Sequence, residues 1–70
     1  MNQEEQHDYA EGWNDIGAFL DRCSDQELVD LYVENRKQAR DEQPTSLYFW
    51  GGFEHMEGIM YARGLMELLD

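Results

Sequence analysis

SLYFWGGFEHMEGIMYARGLMELL, residues 46–69, is the stretch that decides the fold. At about 100° per residue, Phe49, Phe53, Met56 and Met60 fall on one side of a helix. Leu47, Tyr48, Ile59, Ala62, Leu65, Met66 and Leu69 spread over a second broad arc. A helix that is apolar on more than one side is buried on more than one side, so this segment is expected to lie at the centre of a small helical bundle. Its glycines qualify the picture. Glycine inside a helix costs about 1 kcal/mol relative to alanine. Gly51, Gly52, Gly58 and Gly64 therefore imply either close packing that offsets the cost or a break at Gly51-Gly52. Gly51, Gly58 and Ala62 lie close together on the helix surface, where small residues let another backbone approach. A chain of this size rarely draws more than about 3–5 kcal/mol from its core, and oligomerisation is a common remedy. Gly51, Gly58, Ala62 and Leu65 are therefore the expected contacts of a homodimer with helix 3 at its centre.

Upstream, Pro44 disfavours helix for the residue before it, so a second helix is expected to end near Glu42. Its start is marked by Ser24 with Glu27 three residues on, the form of a capping box. Thr45 or Ser46 can cap the third helix in the same way. The reading is thus all-α: one domain over residues 1–70, with helices near 3–22, 25–41 and 46–69. No alternating run rich in Val, Ile and Thr argues for a strand.

The first two helices carry most of the charge. The chain holds 16 Asp and Glu against 5 Lys and Arg, a formal net charge of -11 over 70 residues. With 41% hydrophobic and 13% aromatic residues it is still no disordered acidic tail. Tyr9, Trp13, Ile16, Leu20 and Cys23 form the apolar face of the first segment. Glu4, Asp8, Glu11 and Asp15 stack on nearly the opposite side. In the second segment, Leu28, Leu31, Tyr32, Asn35 and Ala39 share one face, and Glu27, Asp30, Glu34 and Asp41 line another. Like charges at this spacing cost roughly 0.2–0.5 kcal/mol per pair, and a face shaped for stability would mix signs. Arg36, Lys37 and Arg40 sit in the last turns of the second helix, where cations suit the helix dipole.

Chemistry beyond charge is sparse. His7, Cys23 and His55 stand far apart along the chain, without the clustering a zinc site needs, so no metal and no cofactor is expected. Neither Gly51-Gly52 nor Gly12 to Gly17 has the Gly-Lys-Ser/Thr of a phosphate loop. Ser24, Thr45 and Ser46 read as caps, not nucleophiles, and no catalytic set converges, so no enzyme is expected. One cysteine permits no internal disulfide and fits a reducing cytoplasm. No stretch reaches the roughly 18 apolar residues of a membrane span.

Dense carboxylate repels nucleic acid and anionic membranes and attracts basic surfaces, the largest of which belong to nucleic-acid-binding proteins. From Glu4 to Asp15 is eleven residue steps of about 1.5 Å, so four charges cover about 16 Å. The gaps, about 5–6 Å, are of the order of phosphate spacing along a strand. In size, charge and helix content the chain resembles the small acidic proteins, many encoded by phages, that block DNA-binding enzymes by mimicking DNA. No family motif aligns, so no residue role carries over. The expected partner-binding residues are Glu4, Asp8, Glu11, Asp15, Glu27, Asp30 and Glu34, with Phe19 or Val33 adding apolar contact. The alternative is a small acidic adaptor or structural protein that acts through apolar contacts of helix 3.

Overall fold

The structure is a computed structural model describing residues 3–69, with side chains described from residue 6 onward. Three helices make it up: α1 (Gln3–Leu20), α2 (Asp25–Glu42) and α3 (Leu47–Ala62), followed by a short 3-10 turn at Leu65–Leu69. There is no strand among the described residues. As the two apolar arcs of the third segment require, α3 is central. It packs closely against α1 and less extensively against α2, whereas α1 and α2 scarcely touch.

Local signals place the helix ends. Ser24 caps α2: its Oγ accepts from the Glu27 amide at 3.2 Å, and its own amide donates to the Glu27 carboxylate at 3.4 Å. That reciprocal pair satisfies two donors the first turn would otherwise leave open. At the other end Gln43 takes a left-handed conformation (φ 47°) and Pro44 follows. Of the two candidate caps for α3 it is Ser46 that serves, accepting from the Phe49 amide at 3.4 Å.

Two helix ends differ from expectation and one open alternative is decided. The first helix ends at Leu20, not residue 22, because the Arg22 and Cys23 amides bond back to Phe19 and Leu20 in tightened turns. The third helix ends at Ala62 and does not continue to 69. Gly64 adopts φ 69°, in the left-handed region that favours glycine, and its amide donates to the Tyr61 carbonyl at 3.0 Å. The turn sends Leu65 back into the core instead of onward along the helix axis. Gly51-Gly52, by contrast, makes no break: α3 runs through it.

Leu20, Leu28, Tyr32, Met56, Met60 and Leu65 form the buried core, with Ile16, Cys23, Val29, Leu31, Phe53, Ile59, Met66 and Leu69 packed around it. It is small because the body is thin, with Cα extents of 36 × 26 × 15 Å. A single helix with side chains is about 10–12 Å across, so few positions can be shielded from both faces. Trp13, expected on the core face of α1, is 39% exposed, its ring lying over His55 at 4.2 Å between centroids.

Polar ties hold the helices in register. The Tyr32 hydroxyl donates to the Glu57 carboxylate at 2.7 Å, joining α2 to α3. Tyr9 donates to Glu54 and Tyr48 to Asp15, the latter at 2.7 Å, joining α1 to α3. Arg63, beyond the end of α3, reaches the Cys23 carbonyl and the Asp25 carboxylate at 3.3 and 3.1 Å. It thereby fastens the α1–α2 connection to the end of α3.

Candidate functional site

The glycines set the geometry of the site. A Cβ added at Gly12 would run into the Tyr48 carbonyl, and one at Gly51 into the Tyr9 carbonyl. Gly17 lies under the His55 ring, and Gly52 faces Gly12 and Ile16. Gly12, Gly51 and Gly52 let the backbones of α1 and α3 approach, and Gly17 makes room for the His55 ring. α1 lies against α3 in this way and scarcely touches α2, and a seam lies between the first two helices.

Two depressions lie along that seam. One, of about 300 Å³, is lined by Gly12, Asp15 and Ile16 of α1, Asn35 of α2, and Tyr48, Phe49, Gly52, Phe53 and Met56 of α3. The other, of about 330 Å³, is lined by Phe19 and Cys23 near the end of α1 and by Glu27, Asp30, Leu31 and Glu34 of α2. Ile16 and Phe19 are one helical turn apart, as are Leu31 and Asn35, so the depressions adjoin on the same faces of α1 and α2. The floor is apolar, and carboxylates rise from both walls.

The structure thus brings part of each acidic row to one place. Asp15 stands on the α1 wall; Glu27, Asp30 and Glu34 stand on the α2 wall. Asp8 and Glu11 continue the α1 row as exposed side chains. The side chain of Glu4 lies outside the described ones. These carboxylates are not equally free. Glu27 holds the α2 cap, Asp30 accepts from Gln26 at 2.8 Å, and Glu11 lies 3.0 Å from the His7 ring. Asp15 accepts from Tyr48. Asp8 and Glu34 have no partner among the described residues.

Of the expected dimer contacts, Gly51 and Leu65 are buried within the chain itself, Gly51 against α1 and Leu65 in the core. Gly58 and Ala62 are exposed on the outward side of α3, and a Cβ at Gly58 would meet open space.

The ionisable groups with displaced titration are tyrosines. Burial pushes the Tyr32 hydroxyl up to about 12, and its hydrogen bond to Glu57 adds to the effect. The hydrogen bond to Glu54 raises Tyr9, and the one to Asp15 raises Tyr48. Each proton sits in a tie between helices, so these groups report on structure rather than catalysis. Among the described residues no three His, Cys, Asp or Glu side chains are grouped to hold a metal. No described helix is long and apolar enough to cross a membrane.

Sequence reasoning found the acidic rows and named Phe19, but it missed the seam. Its aromatic floor comes from α3, held against α1 where Gly12 meets the Tyr48 carbonyl, and the sequence marks Gly12 only as a glycine in a helix. Fold and site together define a small acidic all-α protein of three helices. No protein-family model, no curated protein and no solved structure matches the chain.

Proposed function

We propose that this protein is an inhibitor that presents its carboxylates in place of nucleic-acid phosphates and occupies the basic groove of a DNA- or RNA-binding protein. The observation that supports the reading is the single sign of the rows Asp8-Glu11-Asp15 and Glu27-Asp30-Glu34 on a fixed helical scaffold. No Lys or Arg interrupts either row. Lys and Arg that normally neutralise phosphates would meet these carboxylates instead, and such pairs govern association rate and salt dependence more than affinity. The phage-type, anti-host or anti-defence role and the cytoplasmic setting belong to the same proposal.

The test starts by capturing host proteins on the immobilised chain and eluting them with a salt gradient. The purified partner is then titrated with the parent and with the triple variant Asp8→Asn, Glu11→Gln, Asp15→Asn. An amide oxygen at position 15 can still accept from the Tyr48 hydroxyl, so the fold should survive. Binding should fall at least about tenfold, or about 1.4 kcal/mol. DNA or RNA should compete with the parent. A ternary complex of chain, partner and nucleic acid would sink the proposal, as would a triple variant that binds like the parent.

The adaptor reading has its own observation. Gly58, Tyr61 and Ala62 leave the outward side of α3 exposed, with Tyr61 67% accessible. A homodimer would use that side, and sedimentation would then give about twice the 8.3 kDa chain mass.

A further inference from the structure

We infer that the seam between α1 and α2 receives a basic amphipathic helix of the partner, whose apolar side chains enter between Phe19 and Leu31 while its Lys and Arg meet the two acidic walls. The inference rests on the reading above for the class of partner and adds the element that is recognised.

The seam combines two properties that the acidic rows alone lack. Its floor is apolar: Ile16, Phe49, Phe53 and Met56 in one depression, Phe19 and Leu31 in the next. Phe19 is 57% exposed, an unusual position for a large aromatic ring on so charged a surface. The walls, in contrast, carry Asp15 on one side and Glu27, Asp30 and Glu34 on the other. Apolar contact at the centre with charge at the rim is the ordinary anatomy of a binding interface. The sign of the rim makes the complementary occupant cationic.

Shape narrows the occupant further. Every described regular element is helical, so there is no sheet edge to which an extended peptide could add. A groove between helices is filled through side chains at helical spacing. From Gly12 to Leu20 the α1 wall runs eight residue steps, about 12 Å, which about two turns of a docked helix would match. Helices that enter the major groove of DNA carry Lys and Arg on the face turned to the duplex. Such a helix, seated here, could not reach nucleic acid.

Two synthetic peptides of about 14 residues test this, long enough to span those turns with a turn to spare at each end. One places leucines at i, i+3, i+4 and i+7 among lysines; the other has the same composition with the leucines scattered around the helix. Each is titrated into isotope-labelled full chain, and backbone amide shifts are followed by NMR. The amphipathic peptide should shift Phe19, Cys23, Leu31 and Asn35 saturably and bind at least about tenfold more tightly than the scattered one. Phe19→Ser, at an exposed site, should remove that advantage while leaving the helical spectrum and the weak binding of the scattered peptide unchanged. Glu34→Lys should weaken both peptides. Equal affinity of the two peptides, or shifts centred on Gly58–Ala62, would overturn the inference. The two readings fail separately. If Phe19→Ser leaves partner binding intact and the Asp8, Glu11, Asp15 variant abolishes it, the seam is wrong and phosphate mimicry stands. If the amphipathic peptide seats in the seam but nucleic acid never competes for the captured partner, the mimicry is wrong and the seam stands.

Discussion

The Tyr48 carbonyl of α3 occupies the space where a side chain at Gly12 of α1 would begin, so the two helices cross with backbone against backbone. The contact is repeated in reverse at Gly51, which lies against the Tyr9 carbonyl. An alanine at residue 12 or 51 cannot be admitted by rotating a side chain; the helices themselves must separate. Gly12→Ala and Gly51→Ala should each destabilise by about 1–3 kcal/mol, the range for overpacked cores, in spite of alanine's better helix propensity. Gly58→Ala meets open space and should stabilise by up to about 1 kcal/mol. Denaturant unfolding of the three variants checks the opposite signs. A stabilised Gly12→Ala would mean the helices do not cross this way.

Alkaline titration should destabilise the protein through its tyrosines. Tyr32, Tyr9 and Tyr48 all titrate above the free value of 10, Tyr32 near 12. Between those values the folded chain holds protons that the unfolded chain has lost, so stability falls as pH rises. Below 10 both states are protonated and the contribution is whole. Tyrosinate absorbance should therefore lag the free value and rise together with loss of helix. Tyrosinate absorbance that rises with a midpoint at 10 for all tyrosines, with the helical spectrum intact, would refute these ties.

Ser24→Ala removes the acceptor for the Glu27 amide and should cost about 1 kcal/mol. The loss should appear first as fraying of α2 in hydrogen exchange at Glu27 and Leu28. Ser24→Asp should restore most of it, since aspartate caps equally well. A Ser24→Ala protein as stable as the parent would show that the capping box contributes nothing.

Added salt should raise the melting temperature at neutral pH. Among the described residues the Lys or Arg ion pairs are Arg40–Asp41 and Arg63–Asp25. The net charge of -11 left after all cations are counted is self-repulsive, and screening relieves it. A melting temperature that falls with salt would mean that attractive pairs dominate.

The sequence carried the helix count and the central place of α3, because two apolar arcs on one helix demand two neighbours. It also carried the ends of α2, because Ser24, Glu27 and Pro44 act through their own local backbone. It did not carry the end of α3. Leu65, Met66 and Leu69 keep a spacing of one, three and four residues, which a 3-10 turn fits as readily as another turn of α-helix. Nor did it carry the partners of the carboxylates. Tyr48 and Asp15 are 33 residues apart, and their meeting depends on a helix crossing that is fixed elsewhere. Gly12 and Gly17 were legible as glycines but not as a crossing, since a glycine's role is decided by the backbone that comes to lie on it.

The ring of Trp13 lies parallel to that of His55, 11° between planes, beside the point where α1 crosses α3. His55 in turn is bound through Nδ1 to the Trp13 carbonyl at 2.6 Å, so indole and imidazole move as one unit only while the crossing holds. The molecule therefore carries its own fluorophore at the joint on which the seam depends. A ligand that prises α1 from α3 must part the two rings and change the emission, whereas one that settles between α1 and α2 need not.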